Sequence, residues 1–212
     1  MSKDIQITKG RKFDQVVEGA RKVFLRDGFE GASVDDIARE AGVSKATLYS
    51  YFPDKRLMFM EIFRSEISRE TTNARALVDV DLPVTQVLPF IAQMIAAHLV
   101  SEFGVRIFRL AIGEAERFPT LAREYYENGA MLLRSQLTEY FRKCVEKGEL
   151  KMDDVALAAD QFVELCSVSI HDRACLLGPD SVDEKQSRRV CDGAVRMFLS
   201  AYGTEGNKAA SF

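Results

Sequence analysis

Residues 44–55 combine hydroxyl groups, cations and small side chains in one short stretch of the chain. Hydroxyl and ammonium groups donate hydrogen bonds to phosphate oxygens, and a lysine can also donate to guanine O6 or N7 in the major groove. Alanine and the threonine methyl group can contact a thymine methyl. The stretch therefore has side chains suited to binding duplex DNA, and the candidates are Ser44, Lys45, Ala46, Thr47, Tyr49, Ser50, Tyr51 and Lys55.

Two short helices joined by a tight turn are predicted to position these residues. Apolar side chains recur at helical spacing from Val34 to Ala41, and Ser33 stands where an N-cap belongs. Gly42 is expected to end this helix, because glycine adopts a positive φ at little cost. Ser44 can then cap a second helix that begins at the next residue.

The second helix is predicted to be buried on one side only. Leu48 and Phe52 lie four residues apart, so both face inward and leave the side from Lys45 to Tyr51 free. An alternative for Tyr49 is that its ring packs on the first helix, since aromatic side chains usually serve cores first. A short turn between two helices, the second with an exposed polar side, is typical of a helix-turn-helix that binds DNA.

The run at 42–55, GVSKATLYSYFPDK, resembles the DNA-binding signature of TetR-type transcriptional regulators, as do Phe29 and Ser33 ahead of it. The resemblance implies an all-helical homodimer in which a ligand-binding domain follows the DNA-binding domain. It implies that Lys45, Ala46 and Thr47 approach base edges. It also implies that phosphates are held by Ser33, Ser44, Tyr49, Ser50, Tyr51 and Lys55.

Charge is divided unevenly along a chain of net charge −3. Residues 1–56 hold 11 Lys and Arg against 9 Asp and Glu, whereas the remainder holds 18 against 23. This excess is modest, so affinity for phosphates must come from the local placement of cations. A protein that coats nucleic acid without sequence preference is therefore disfavoured.

The sequence gives no indication of a membrane segment, an export signal or a cofactor. The longest weakly polar run, Val87–Val100, is interrupted by Pro89 and is too short to span a bilayer. No secretory signal precedes Lys9, so a cytoplasmic protein is expected. The chain also lacks a nucleophile with an adjacent base and any metal-ligand spacing, so we predict neither an enzyme nor a cofactor.

The four cysteines, Cys144, Cys166, Cys175 and Cys191, are scattered along the second half of the chain. Buried reduced thiols are the expected state, because free cysteine behaves as a small apolar residue. A thiol-based redox sensor is the alternative, since an exposed cysteine of low pKa could switch such a regulator. Cys166 and Cys175 are expected on one helix, about 13.5 Å apart by rise, too far for a disulfide within that helix.

The predicted fold is all-α, with about nine helices in two domains. Residues 1–55 form a three-helix DNA-binding domain, with a first helix at about 9–27, recognition helices within 33–52 and a linking helix from 55 to about 77. Residues 56–204 form a helical ligand-binding and dimerisation domain. Long uninterrupted helices are expected at about 120–147 and from 153 to before Gly178, and 205–212 is expected to be a disordered tail.

Residues 108–129, FRLAIGEAERFPTLAREYYENG, resemble the C-terminal domain of AefR-like members of the family. The second domain is rich in bulky soft residues, which favours a pocket for a small hydrophobic effector, although aromatic residues at helical spacing are also typical of an ordinary core. The predicted lining is Phe90, Met94, Phe108, Phe118, Tyr125, Tyr126 and Phe162.

The last two predicted helices are rich in small residues that allow close approach. In TetR-type proteins the equivalent pair forms a four-helix bundle across a twofold axis, and the alternative is that this pair only completes the monomer core. The predicted interface residues are Ala158, Phe162, Cys166, Ala194 and Phe198. The resulting hypothesis is a dimeric repressor that binds a palindromic operator and is released by the effector.

Overall fold

A computed structural model describes residues 11–74 and 82–208 of the chain. Within these residues the structure is helical, with no strand and a single isolated bridge between Leu150 and Gly203. The all-α prediction is therefore confirmed. The predicted start of the first helix, near Lys9, and the last four residues of the predicted tail lie outside the described residues.

Contacts group the described residues into two units. The first contains residues 11–69 together with 110–125, and the second contains 70–74, 82–109 and 126–208. This grouping differs from the predicted boundary after residue 55, because the segment at 110–125 packs with the N-terminal helices. Phe118 from this segment lies 4.7 Å from Phe29 and 5.1 Å from Phe59, measured between ring centroids.

The first unit contains the predicted helix-turn-helix. Its helices are α1 (Arg11–Gly31), α2 (Val34–Ala41), α3 (Lys45–Tyr51) and the start of α4 (Lys55–Ala74), followed by the end of α6 (Glu102–Gly113) and by α7 (Pro119–Tyr125). The boundary with the second unit falls within α6. Gly28 interrupts α1 with φ 71° and ψ −173°, a conformation available to glycine, and Phe29 after it packs on Phe24 and Phe59.

The second unit is a bundle built on α5 (Val84–Val100) and the start of α6. It continues with a π-helix (Tyr126–Ala130), α8 (Met131–Glu146), α9 (Val155–Ser167), α10 (Ile170–Leu177), a 3-10 turn (Pro179–Ser181), α11 (Glu184–Tyr202) and α12 (Glu205–Lys208). Its core centres on three aromatic rings. Phe198 lies 4.9 Å from both Phe141 and Phe162, and all three are fully buried.

Twelve α-helical segments occur in the described residues, more than the predicted nine. The helix predicted at 120–147 is divided by the π-helix, and the helix predicted from 153 onward breaks at Val168 and Ser169. Ser169 has φ 61°, which is uncommon for a residue other than glycine. Glu205–Lys208 are helical, so the prediction of disorder is wrong for these four residues. The linking helix is described as far as Ala74, and its predicted end near residue 77 lies outside the described residues.

Among the described residues, no single helix is long and apolar enough to cross a membrane. The pair Val84–Val100 and Glu102–Gly113 reaches the required length and composition only when taken together, across a 61° bend.

Candidate nucleic-acid interface

The caps of α2 and α3 hold the two helices around a short turn, as predicted. The Ser33 hydroxyl accepts a hydrogen bond from the backbone N–H of Asp36 at 3.0 Å, and the Ser44 hydroxyl accepts one from that of Thr47 at 3.1 Å. Gly42 ends α2 with φ 64°. Because Ser33 and Ser44 accept hydrogen bonds from backbone N–H groups at the starts of α2 and α3, residues 42–44 are enough to connect the two helices.

The inner side of α3 is buried against α1 and α2. Leu48 is fully buried, and the Phe52 ring stacks on Phe13 with the centroids 5.8 Å apart. The α1 and α2 backbones approach so closely that a Cβ at Gly19 would lie 2.6 Å from the backbone nitrogen of Ala41. These contacts fix which side of α3 faces outward.

The outer side of α3 is accessible in the described part of the chain. Lys45, Ala46 and Ser50 are exposed, and Thr47 is partly exposed. Tyr49 is 46% exposed, so its ring is not buried against the first helix, the alternative considered above. Tyr51 makes the helix contact instead, because its ring meets Phe13 edge-on at 5.6 Å.

The hydroxyl groups on this surface are held by local hydrogen bonds. The Ser44 and Thr47 hydroxyl oxygens lie 2.9 Å apart, and the Ser50 hydroxyl donates to the Thr47 carbonyl at 2.6 Å. A hydroxyl group has both a donor hydrogen and acceptor lone pairs, and a surface position leaves part of this capacity for another molecule. The local bonds therefore orient the hydroxyls.

Ion pairs neutralise part of the charge near α3. The Lys45 ammonium lies 2.6 Å from a carboxylate oxygen of Asp35, and this hydrogen bond raises the pKa of Lys45. Asp36 is held by the Ser33 hydroxyl and by Arg39, and chiefly the Ser33 hydrogen bond lowers the pKa of this carboxyl. Lys45 therefore stays cationic, and the Asp35 carboxylate competes with any nucleic-acid partner for its ammonium group.

Lys55 has a structural contact that the sequence did not indicate. Its ammonium donates to the Ala32 carbonyl at 2.8 Å and lies 4.4 Å from the centroid of the Phe29 ring. The side chain therefore joins the start of α4 to the residues that precede α2. Arg56, the next residue, is exposed, and its guanidinium carbon lies 5.3 Å from the centroid of the Phe118 ring.

The predicted effector-pocket residues are divided between the two units. Phe118 and Tyr125 belong to the first unit, where Tyr125 lies 6.2 Å from Phe63 between ring centroids. In the second unit, Phe162 is part of the closed aromatic core. Of the other members in that unit, Phe90 and Tyr126 lie on the surface, Met94 is partly buried, and Phe108 meets His171 edge-on at 4.6 Å.

The predicted interface residues occupy the interior of the second unit. Ala158, Phe162, Cys166, Ala194 and Phe198 are each 2% exposed or less. These side chains are not accessible to a second copy of the chain, because they pack in the core of the monomer. The alternative, that this helix pair completes the monomer core, therefore fits these five residues. The exposed apolar residues of α9 to α11 and their caps are different ones: Leu157, Val168, Leu176, Leu177 and Met197.

Comparison with known families covers both halves of the chain. Residues 16–62 match the family model described as bacterial regulatory proteins, tetR family. Residues 86–204 match the model described as the C-terminal domain of AefR-like transcriptional repressors.

Individual relatives are similar to this chain over nearly its whole length. The chain is 30% identical over 206 residues to YdeS, an uncharacterized HTH-type transcriptional regulator of Bacillus subtilis, covering 95% of this chain and 99% of YdeS. A TetR-family regulator from Mesorhizobium loti superposes with a TM-score of 0.82 at 28% identity, over 92% of this chain and 98% of that one. The flavonoid-responsive regulator FrrA superposes with a TM-score of 0.71 at 30% identity, over 93% and 100%.

The matched segments include the helix-turn-helix and its exposed α3 surface, as well as most of the second unit. The chain belongs to the tetR family of bacterial regulatory proteins, with an AefR-like C-terminal domain, and is a DNA-binding transcriptional regulator and not an enzyme.

Proposed function

We propose that this regulator is a repressor that binds a palindromic operator as a homodimer in the cytoplasm. The observation that carries the proposal is the division of α3 into a buried side, at Leu48 and Phe52, and an accessible polar side. A seven-residue helix that is anchored on one side only can enter the major groove with the other. The proposed base contacts come from Lys45, Ala46 and Thr47, and the proposed phosphate contacts from Ser33, Ser44, Tyr49, Ser50 and Tyr51.

Lys55 keeps a smaller part in this proposal. Its ammonium already donates one hydrogen bond to the Ala32 carbonyl oxygen, so fewer of its hydrogens are available to a phosphate. We assign the stronger phosphate contact at the start of α4 to Arg56, which is exposed and lies in the first turn of a long helix.

Selection of duplexes from a random pool by the purified protein tests this function. The expected product is a twofold-symmetric sequence with half-site centres about one DNA turn apart, roughly 34 to 36 Å. Recovery of duplexes with no common sequence, at affinities equal to that for random DNA, would refute sequence-specific binding.

A second copy of the chain is proposed to cover exposed apolar side chains of the second unit. Leu176 is 80% exposed and Leu177 is 69% exposed at the end of α10, and Met197 of α11 is 60% exposed. Large apolar side chains in such exposed positions are typical of an interface. Sedimentation should show a dimer, and Leu176→Lys should weaken it, whereas the control Leu82→Lys, an exposed leucine that lies before α5, should not.

A small hydrophobic effector is proposed to bind the second unit and to release DNA. FrrA, which resembles this chain over nearly its whole length, is a flavonoid-responsive regulator. By linkage, an effector that weakens DNA binding is itself bound more weakly in the presence of DNA, and both affinities fall by the same factor. The coupling free energy between the two sites is typically about 1 to 3 kcal/mol. A fluorescence-anisotropy titration of the selected duplex with a flavonoid panel tests this. No change in affinity with any compound would count against an effector of this class.

The alternative function, redox sensing by thiols, finds little support in the chemistry of the cysteines. Cys144, Cys166 and Cys191 are buried, and burial raises the pKa of Cys144 to about 11 and that of Cys166 to about 12. Cys175 is partly buried, and its pKa is also raised. A high pKa leaves little thiolate, the form that reacts with oxidants. Cys166 and Cys175 lie on α9 and α10, not on one helix as predicted.

A further inference from the structure

Two buried polar atoms on α8 lack a hydrogen-bond partner among the described residues. They are the hydroxyl oxygen of Tyr140 and the amide oxygen of Gln136. Tyr140 is only 5% exposed and belongs to the hydrophobic core of the second unit. A buried polar atom left unpaired destabilises the fold, and the large majority of buried polar atoms in native structures have a hydrogen-bond partner.

Helix geometry brings these two residues to the same side of α8. Residues four apart on a helix lie one turn above each other, with their Cβ atoms about 6 Å apart. We therefore expect the two polar atoms to face the same site. The neighbouring Phe141 ring, 5.9 Å from the Tyr140 ring, belongs to the aromatic core of the unit.

The surroundings of the pair favour a neutral group over an anion. Burial is the main cause that raises the pKa of Tyr140, the Cys144 thiol raises it further, and the nearby carboxylate of Glu149 contributes least. Glu149 also accepts a hydrogen bond from the backbone N–H of Val84 at 3.3 Å. The Cys144 thiol lies one turn away and is itself protonated, because burial raises its pKa to about 11. The thiol interacts with the Tyr140 hydroxyl, but this contact does not meet hydrogen-bond geometry, so the hydroxyl oxygen has no hydrogen-bond partner among the described residues.

We propose that Tyr140 and Gln136 bind the polar end of the effector, and that this end is a neutral hydroxyl group on a mainly apolar molecule. A hydroxyl can donate its hydrogen to the Gln136 amide oxygen and accept one from the Tyr140 hydroxyl, so it satisfies both atoms. A hydrocarbon would satisfy neither. A carboxylate cannot donate to the Gln136 oxygen and would be buried close to Glu149. This inference rests on the proposed effector site in the second unit.

Binding of matched aromatic probes to the full-length protein tests the proposal. Naphthol, naphthalene and naphthoate share one ring system and differ in the polar group. We expect the wild-type protein to bind naphthol about 3- to 10-fold more tightly than naphthalene for each hydrogen bond formed, and naphthoate no better than naphthalene. Equal affinities for naphthol and naphthalene, or no saturable binding of naphthol, would overturn the proposal.

Two tyrosine variants separate a binding role from general effects of losing a hydroxyl. Tyr140→Phe should remove most of the preference for naphthol and leave naphthalene binding unchanged. Tyr202→Phe is the matched control, because that hydroxyl donates to Gln161 at the surface of the same unit. The control should keep the preference. A Tyr140→Phe protein that still prefers naphthol as the wild type does would contradict the assignment.

Stability without a ligand distinguishes this proposal from a hydroxyl that is paired with a trapped water. If the Tyr140 hydroxyl bonds only to a ligand, Tyr140→Phe removes a buried hydroxyl that is unpaired in the free protein. The melting temperature of the free variant should then equal or exceed that of the wild type. A lower melting temperature would show that the hydroxyl already serves the folded protein, most simply through a water, and would overturn the proposal.

DNA binding measured on the same samples separates this inference from the proposed function. Preference for naphthol that depends on Tyr140, without any change in duplex affinity, would support the site and refute effector-controlled release. Release of DNA by compounds that bind equally well to Tyr140→Phe would support the release and refute the site.

Discussion

Replacement of Gly19 by alanine should destabilise the helix-turn-helix, although alanine is the better helix former. The added Cβ would lie 2.6 Å from the backbone nitrogen of Ala41 and 2.7 Å from its Cβ. Side-chain carbons rarely come within 3.4 Å of other atoms, so α1 and α2 must separate by several tenths of an ångström. Overpacking of this kind costs about 1 to 3 kcal/mol, more than the roughly 0.5 to 1 kcal/mol that alanine gains over glycine in a helix.

Equilibrium urea unfolding of both variants of a matched pair measures this effect. Gly113, in the same unit at the end of α6, has no atom within 4 Å of the position where a Cβ would be built. Gly113→Ala should therefore be neutral or stabilising by up to about 1 kcal/mol. If Gly19→Ala were as stable as Gly113→Ala, the close approach of α1 and α2 would not exist in solution and the orientation argued for α3 would lose its basis.

Three further predictions concern single side chains. Lys55→Met should cost about 1 to 3 kcal/mol of stability in urea unfolding, because the buried Ala32 carbonyl loses its donor; a lysine that contacts only phosphate would leave stability unchanged and reduce the salt dependence of DNA binding instead. Ellman's reagent at neutral pH should titrate at most Cys175 in the native protein and all four thiols after unfolding, and rapid reaction of more than one would contradict their burial. In an NMR titration, Ser33→Ala should raise the pKa of Asp36 towards 3.8. Because the folded-state pKa is lowered, the stability that this carboxylate contributes is complete above the unfolded value and is lost as the pH falls through the folded one; an unchanged pKa in the variant would contradict the assigned cause.

The helix-turn-helix could be predicted from sequence because its determinants are local. Ser33, Gly42 and Ser44 cap helices with atoms only two or three residues away, and the apolar spacing of α2 and α3 identifies their buried sides. None of this requires knowledge of which distant segments meet. The same locality explains why the all-α fold was predicted correctly and why Lys45, Ala46 and Ser50 are exposed on α3 as expected, whereas Tyr51, expected on the same side, packs on Phe13.

Contacts between distant residues could not be predicted in this way. Lys55 bonds to Ala32, 23 residues earlier, and no periodic pattern links the two. Phe118 was assigned to a pocket because aromatic residues suit both pockets and cores, and only the fold shows that it packs on Phe29. The break at Ser169 has neither glycine nor proline to mark it, so the apolar spacing continues across it.

The predicted dimer residues illustrate a further limit. Small and apolar residues at helical spacing identify a buried stripe, but the stripe packs equally well on the same chain or on a second copy. Ala158 and Phe198 turned out to face the monomer core. The exposed residues, such as Leu176, occur near helix ends and caps, where spacing carries little information.

The most direct test of the account is the affinity of Ala46→Glu for the duplex selected by the wild-type protein. Ala46 is exposed on α3, so the variant should fold and melt as the wild type does, while a carboxylate on this side would repel phosphates. Ala97→Glu adds the same charge at an exposed position on α5 and serves as the control. We predict that Ala46→Glu loses at least about tenfold in affinity, the value of one good base contact, and that the control loses little. Wild-type affinity in Ala46→Glu would contradict the claim that the outer side of α3 binds DNA.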